Sequence, residues 1–368
     1  MKYIHLIDST FREGKQSSSN RMLLGKARRY VQIIDKMGVE YMEIMHPYIS
    51  TNFLNEYQKV VKLKTNLKIF TYSRINDKDL TLLQKIGVKN VSTSLIGNNE
   101  QIIMRQALKI INWAQKNNIK LRLSIENSFQ IDKDIICRVC KKICKHKVVS
   151  HICFADSNGC ATPEIVGIFF QHIHNSIMKK IPIEFHFHND QGLAAANFYT
   201  VYKLAKKTHR DILFAVSVSG MGERNGILSY GDVLSVVSVS EEKDTKKRYR
   251  INFYKDLLSL IFPLKASFNR DPLSPSAFGH VAASHIKRVI ENNKFQTVKP
   301  KSFGFIPNYV IGELFSADAL IEISRKYFGL EISSKKAKDI STRVRNSFSM
   351  QDKDLTISEL ETIVRSGL

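Results

Sequence analysis

The chain has 368 residues, 43% of them hydrophobic and 24% charged, enough for one large domain with an appendage or for two ordinary domains. Its 56 Lys and Arg against 34 Asp and Glu give a formal charge of +22, a surplus compatible with nucleic acid, an anionic membrane surface or anionic small substrates. The excess is spread in short runs such as Lys141-Lys142, Lys179-Lys180 and Lys246-Lys247-Arg248, with no aromatic-interleaved stripe, so nucleic acid is not the expected partner; no run of 18 apolar residues argues for a spanning helix.

Met1-Lys-Tyr-Ile-His lacks the apolar stretch and cleavage site of a secretory signal and reads directly as a first strand, so the expected location is the cytoplasm. Short apolar runs at 4–7, 41–44, 68–71, 90–94, 120–124, 151–154, 183–186 and 215–218 each read as a strand. Between them, segments such as 25–37 and 78–86 carry apolar residues at helical spacing. Gly38 and Gly87 follow these segments as helix-ending glycines. Eight strands alternating with helices predict an α/β fold, a (β/α)8 TIM barrel. A doubly wound open sheet is the alternative, weakened because no Gly-x-Gly-x-x-Gly turn follows the first strand. Five cysteines, an odd number, do not make a disulfide framework. Cys137, Cys140 and Cys144 at i, i+3, i+7 read as the buried face of a helix rather than a metal site. The charged stretch 241–250 reads as a helix and connection at the barrel's end. Beyond about residue 270, a turn-rich stretch, 271–276, precedes helical segments. The expected division is a catalytic barrel at 1–265 and a mainly helical C-terminal extension at 266–368.

Barrel enzymes carry their chemistry at the C-terminal ends of the strands. The first strand runs into Asp8-Ser-Thr-Phe-Arg12-Glu13-Gly14-Lys-Gln16, where an Arg beside a Glu suits an anion and a metal respectively. The seventh ends in Phe185-His186-Phe187-His188-Asn189-Asp190. Strand side chains alternate faces, so His186 and His188 point one way and the two phenylalanines the other. Two imidazoles projecting together make a good pair of divalent-metal ligands, with Asn189 and Asp190 as candidates to orient them. Glu13 completes a two-His, one-carboxylate set suited to holding the oxygens of a keto or hydroxy acid. The loop Gly220-Met-Gly222-Glu-Arg-Asn-Gly226 follows the eighth strand, either approaching a ligand closely or serving as a structural turn.

These motifs together resemble the family of barrel metalloenzymes that includes homocitrate synthase, isopropylmalate synthase, citramalate synthase and hydroxymethylglutaryl-CoA lyase. Residues 8–16 match its Asp-x-Thr-x-Arg-Asp/Glu-Gly-x-Gln motif, 186–190 its His-x-His-Asn-Asp, and 220–224 its Gly-x-Gly-Glu-Arg. Residues 155–163 resemble its Ala-Asp-Thr-x-Gly-x-Ala-Thr-Pro. The resemblance implies that Glu13, His186 and His188 hold a divalent metal, Mg²⁺, Mn²⁺ or Zn²⁺, and that Arg12 stabilises an enolate or oxyanion. Ile227 stands where some relatives have an Asn, so no fourth protein ligand is implied there. The segment Phe278-Gly-His280-Val-Ala-Ala-Ser-His285 resembles one that condensing members carry and lyases lack, with Asn293, Phe295, Pro300, Phe303 and Gly304 continuing its pattern.

From the same resemblance, His285 and Glu126 generate the enolate of acetyl-CoA. Tyr309 joins them as a catalytic residue, and the C-terminal region serves the neighbouring subunit of a homodimer. Arg122, four residues before Glu126, has the spacing of an Arg that binds the distal carboxylate of 2-oxoglutarate in homocitrate synthases. Residues i and i+4 on a strand share a face, and pairing with a neighbouring acid is the alternative. Glu43, Asn76 and Ser157 are the remaining implied substrate contacts, Asn76 replacing a His and Ser157 a Thr. The expected reaction is condensation of acetyl-CoA with 2-oxoglutarate to homocitrate. Citramalate, isopropylmalate or Re-citrate synthesis, a lyase, and a non-catalytic anion- or nucleic-acid-binding relative are the alternatives.

Overall fold

The computed structural model describes residues 4–17, 24–46, 51–177, 181–233, 236, 257, 260–261, 279–292, 308–312, 314–348 and 355–367. The boundary at 265/266, the stretches 241–250 and 271–276, the C-terminal pattern residues Phe278, Asn293, Phe295, Pro300, Phe303 and Gly304, and the basic runs at 179–180 and 246–248 lie outside them. Eight parallel strands close into a barrel in chain order: β1 Ile4–Asp8, β2 Tyr41–Ile44, β3 Lys68–Tyr72, β4 Asn90–Leu95, β5 Lys120–Ile125, β6 Val149–Asp156, β7 Ile183–Phe187 and β8 Ile212–Val216. β1 pairs with both β2 and β8, so the sheet has no edge. The barrel expected from the alternating pattern is therefore present, seven of its strands within two residues of their expected limits.

The eighth strand corrects the sequence reading. It runs over 212–216 rather than 215–218, because all five residues from Ile212 are buried and the chain turns at Val218–Gly220, where Ser219 has φ 52°. Helices follow the first seven strands: α1 Thr10–Glu13 and α2 Ala27–Met37 after β1, then α3 Thr51–Val61, α4 Asp77–Lys85, α5 Glu100–Lys116, α6 Lys133–Ile143, α7 Pro163–Ile173 and α8 Ala194–Thr208 after β2 to β7 in turn. α2 ends on Gly38 in the left-handed conformation, φ 84°, as the glycine pattern predicts. Cys137, Cys140 and Cys144 are buried in the apolar core under α6, as their helical spacing predicts.

Strand alternation sorts β7 into two faces. Phe185 and Phe187 pack outward in a ring cluster with Phe129, their own centroids 5.6 Å apart. Glu184 and His186 face the interior, which is polar where many such barrels are filled by branched aliphatics. One step down each strand lie Glu43, Ser92, Arg122 and Glu184. Two residues further along, Ser94, Ser124 and His186 line the mouth. Helices Ala283–Asn292, Ala317–Ile323, Ser334–Phe348 and Ile357–Ser366 share a second apolar cluster centred on Ile286, Ile311, Leu320, Ile340 and Leu360. Among the described residues, no helix is long and apolar enough to cross a membrane.

Candidate active site

The mouth is built first by Asp8. The Thr10 N–H donates to Asp8 Oδ1 at 2.8 Å, and the hydroxyls of Tyr30 and Tyr230 donate to Oδ2, the latter at 3.0 Å. These bonds fold the chain after β1 into the single turn of α1, which presents Arg12 and Glu13. Burial pushes the Asp8 carboxyl up to about 6. The Arg12 side chain is fixed from three sides: Nη1 donates to Glu13, Nε stands 3.7 Å from Glu43, and the guanidinium lies 4.8 Å from the Tyr72 ring centroid.

Glu13, His186 and His188 are all buried, and one ligand atom from each lies within 4.8 Å of the others. The two imidazole centroids are 5.1 Å apart. Burial, reinforced by nearby arginines, holds both histidines well below their ordinary value of 6.5, so both present neutral nitrogen. Glu13 Oε2, His186 Nδ1 and His188 Nδ1 are buried without a hydrogen-bond partner. A buried orphaned acceptor costs about 1–3 kcal/mol, and a divalent cation held among these three residues would offset that cost. Two neutral imidazoles and a carboxylate with further positions open fit such an ion. Burial, opposed by Arg12, raises the Glu13 carboxyl; a bound cation would favour its charged form.

Asn189 and Asp190 do not orient the imidazoles as the motif suggests. Asn189 Oδ1 accepts the Ala194 N–H at 3.1 Å, capping the start of α8. Asp190 instead takes a two-pronged bond from Arg224, Nε to Oδ1 at 2.6 Å and Nη2 to Oδ2 at 2.8 Å. That pair clamps the glycine loop onto the end of β7. The loop passes so close that a Cβ on Gly222 would stand 3.1 Å from Glu13 Oε2, and Gly226, at φ +80°, would place one 1.8 Å from the Gly220 carbonyl oxygen. Gly226→Ala is accordingly expected to destabilise the protein by about 1–3 kcal/mol, seen as a lower urea midpoint. An unchanged midpoint would show that the loop tolerates a side chain there.

A cavity of about 40 Å³ brings together Arg12, Glu13, Arg122, Glu126, Ser157, His186, His188 and His285. Ser157 holds its wall, its hydroxyl accepting the Asn127 N–H at 3.3 Å and its carbonyl accepting from Arg224 at 3.0 Å. Burial raises the Glu126 carboxyl, against the pull of Arg288. Burial and Arg224 hold His285 well below its ordinary value, leaving a neutral imidazole. His285 reaches the cavity of its own chain, where the resemblance implied service to a neighbouring subunit. The reason is local: the Val281 N–H donates to Glu223 Oε1 at 2.7 Å and the Arg224 N–H to the Gly279 carbonyl at 3.3 Å, laying this segment across the glycine loop.

Four sequence candidates, Arg122, Glu43, Asn76 and Tyr309, are placed otherwise, and of these only Arg122 lines the cavity. Arg122 lines the cavity but is already paired: Nε and Nη2 donate to Glu184 at 2.7 and 2.5 Å, and Nη1 to Glu43 at 2.8 Å. Glu43 is the hub between the two arginines and also accepts from Ser92 at 2.6 Å. Asn76 does not line the cavity; it caps α4, accepting the Asp79 N–H at 2.9 Å and donating to Asp79 Oδ2 at 2.9 Å. Tyr309 does not line it either. It lies beside His280 in a short parallel pair of strands, its hydroxyl accepting from Tyr327 at 3.2 Å. Sequence reasoning missed Glu223 and His280, both buried, which with the partly buried His285 form a second trio whose ligand atoms lie within 4.8 Å. Burial pushes Glu223 up to about 8 and His280 down to about 3. The signal is in the sequence: Glu223 lies in the Gly220–Gly226 loop and His280 in the segment that leads to His285.

Comparison with known proteins agrees with this fold. Residues 3–257 match the family model described as HMGL-like. The chain is 28% identical to the mitochondrial homocitrate synthase of Schizosaccharomyces pombe over 374 residues, covering 96% of this chain and 87% of that protein. It is 23% identical to the (R)-citramalate synthase of Methanocaldococcus jannaschii, covering 98% of this chain and 76% of that one. Among solved structures, the HMG-CoA lyase of Bacillus subtilis superposes with a TM-score of 0.57 at 16% identity, over 73% of this chain and 97% of the lyase, a likeness of fold.

Proposed function

The chain belongs to the HMGL-like family as a homocitrate synthase-like enzyme, and from that premise we propose that it condenses acetyl-CoA with a 2-oxo acid, 2-oxoglutarate before others, to give homocitrate and free CoA. The observation that carries this reading is the convergence of the buried Glu13, His186 and His188 with Arg12, Glu126 and His285 in one cavity. A divalent cation, Mg²⁺, Mn²⁺ or Zn²⁺, held by Glu13, His186 and His188 would supply Lewis-acid polarisation of the keto oxygen.

The chain's own side chains account for the rest. A neutral His285 and a carboxylate at Glu126, made more basic by burial, are the two groups able to take the proton from the acetyl methyl. The resulting enolate carbon attacks the keto carbon, and the Arg12 guanidinium, held beside Glu13, offsets the charge gathering on oxygen. Water then cleaves the thioester and CoA leaves as thiol. Tyr309, its ring centroid 6.4 Å from that of His280, does not line this cavity. The reading includes a cytoplasmic homodimer, as the resemblance implies.

One observation favours a second reading. Arg122 meets the cavity already neutralised by Glu184 and Glu43, so a distal carboxylate gains less from it. An acceptor with a short uncharged side chain, as in citramalate synthesis from pyruvate, avoids that competition. CoA thiol release decides between them, measured with each divalent metal and separately with 2-oxoglutarate, oxaloacetate, pyruvate and 2-oxoisovalerate. Metal-dependent release with 2-oxoglutarate is expected; release with pyruvate alone transfers the assignment to the second reading. Silence with every acid overturns both.

A further inference from the structure

We propose that Tyr72 is a positioning residue for both charged groups of the reaction, holding the Arg12 guanidinium on its ring and aligning Glu126 through the Ser94 hydroxyl. The role rests on the condensation proposed above. Tyr72 closes β3. Period-two alternation puts it on the same face as Phe70, whose ring meets that of His151 with 5.0 Å between centroids. Tyr72 thus stands at the level of the mouth without lining the mouth cavity itself.

On one side the Arg12 guanidinium carbon lies 4.8 Å from the ring centroid. That guanidinium is shared between Glu13 and Glu43, so the carboxylates alone leave it free to swing towards either. A π face beneath it restricts that swing, and the attraction strengthens as water is excluded. On its other side Tyr72 walls a larger cavity of about 420 Å³, which Ser94 shares with the mouth. The ring is therefore a partition that keeps solvent in that space from the guanidinium.

The hydroxyl serves the second group. It donates to Ser94 Oγ at 3.4 Å, and burial raises it, so it stays a donor. The one Ser94 proton is then left for the Glu126 carboxylate, to which Ser94 hydrogen-bonds. Glu126 faces Arg12 from α1, Tyr72 from β3, and His285 and Arg288 from the helix Ala283–Asn292, with the metal ligands across the cavity. Burial raises its carboxyl, and Arg288, Ser94 and Arg12 work against that rise. The chain from Tyr72 through Ser94 therefore favours the carboxylate, the form able to take the methyl proton. One side chain of β3 thus steadies both the group that receives the proton and the group that meets the charge left on oxygen.

The test compares Tyr72→Phe, Tyr72→Leu and Ser94→Ala in the metal-loaded enzyme, following CoA thiol release against pH. A base that must be charged makes kcat/KM fall as pH drops through its value. In Tyr72→Phe the Ser94 proton is no longer directed at Glu126, so this acid limb is expected to move to higher pH. Ser94→Ala is expected to move it at least as far, and Tyr72→Phe added to Ser94→Ala to move it no further. Tyr72→Leu is expected to show the same limb and, with the ring gone, a kcat plateau about tenfold lower. Tyr72→Phe, which keeps the ring, should recover most of that plateau. An acid limb in Tyr72→Phe that coincides with the parent's overturns the proposal, as does an equal plateau in Tyr72→Leu and Tyr72→Phe. Failure of the condensation reading shows differently. If no acid gives thiol release, urea unfolding of Arg12→Met, Tyr72→Leu and the double variant still reads the contact. Losses in midpoint that fall short of adding keep Tyr72 as the support of Arg12; additive losses end it.

Discussion

His188→Ala is expected to lower metal-dependent thiol release about a thousandfold and to leave the purified protein with much less than one divalent ion per chain. His188 lies in the antiparallel bridge to Ile227 that joins the end of β7 to the glycine loop. Its Nδ1 is among the three buried orphaned acceptors of the mouth. Removing it leaves one imidazole and one carboxylate, too few ligands to hold an ion against solvent. The fold should survive, since the backbone bridge does not use the side chain and the deletion removes a polar group with no partner. Metal content, read by elemental analysis, and activity should therefore fall together while the urea midpoint stays near that of the parent. Chelation of the parent should reproduce the loss and added metal should reverse it, whereas added metal should not restore the variant at concentrations that saturate the parent. A variant that keeps both its ion and its activity removes His188 from the site.

The architecture and the metal-ligand set were readable because each rests on short-range rules. Period-two alternation puts His186 and His188 on the face opposite Phe185 and Phe187 regardless of the rest of the chain. The runs that became strands are bounded by glycine, asparagine and lysine turns. What escaped depends on long-range partners. Arg122 has the spacing of a substrate-binding residue, but its pairing with Glu184, 62 positions away, appears only once β5, β6 and β7 lie side by side. Asn76 sits at a helix start, and its capping role was legible from Asp77 and Asp79 in the first turn had local capping been weighed before family position. The Glu223–His280 contact, 3.9 Å, joins residues far apart in the chain, and no periodicity reports it. The eighth strand was misplaced because the apolar run continues past Val216 through Val218 with only Ser217 between; the turn with left-handed Ser219 that follows the strand has no signature in composition.

Arg122→Met is expected to destabilise the protein by about 3–5 kcal/mol, the usual cost of leaving a buried charge without its partner. Arg122 is 2% exposed and Glu43 and Glu184 are fully buried, so the variant takes the arginine from Glu184 altogether and leaves Glu43 with Arg12 alone, 3.7 Å away. In the parent, burial works to raise Glu184, but Arg122 and His151 outweigh it and hold the carboxyl below its ordinary 4.5. A carboxyl depressed by folding contributes stability that is complete above that ordinary value and is lost as pH falls through the depressed one. The parent should thus lose stability on acidification below about pH 4.5. Without Arg122, burial dominates and the sign reverses: Glu184 binds protons more readily folded than unfolded, so the variant should gain relative stability as pH falls from 7 towards 5. The destabilisation should accordingly be largest at neutral pH and shrink in acid, as measured by urea unfolding at pH 5 and pH 7.5. Adding Glu184→Gln to Arg122→Met should recover part of the loss at pH 7.5, because one stranded charge is then neutral. A deficit under about 1 kcal/mol at pH 7.5, or one independent of pH, would mean that water reaches this layer and that Arg122 is free to serve a substrate carboxylate after all.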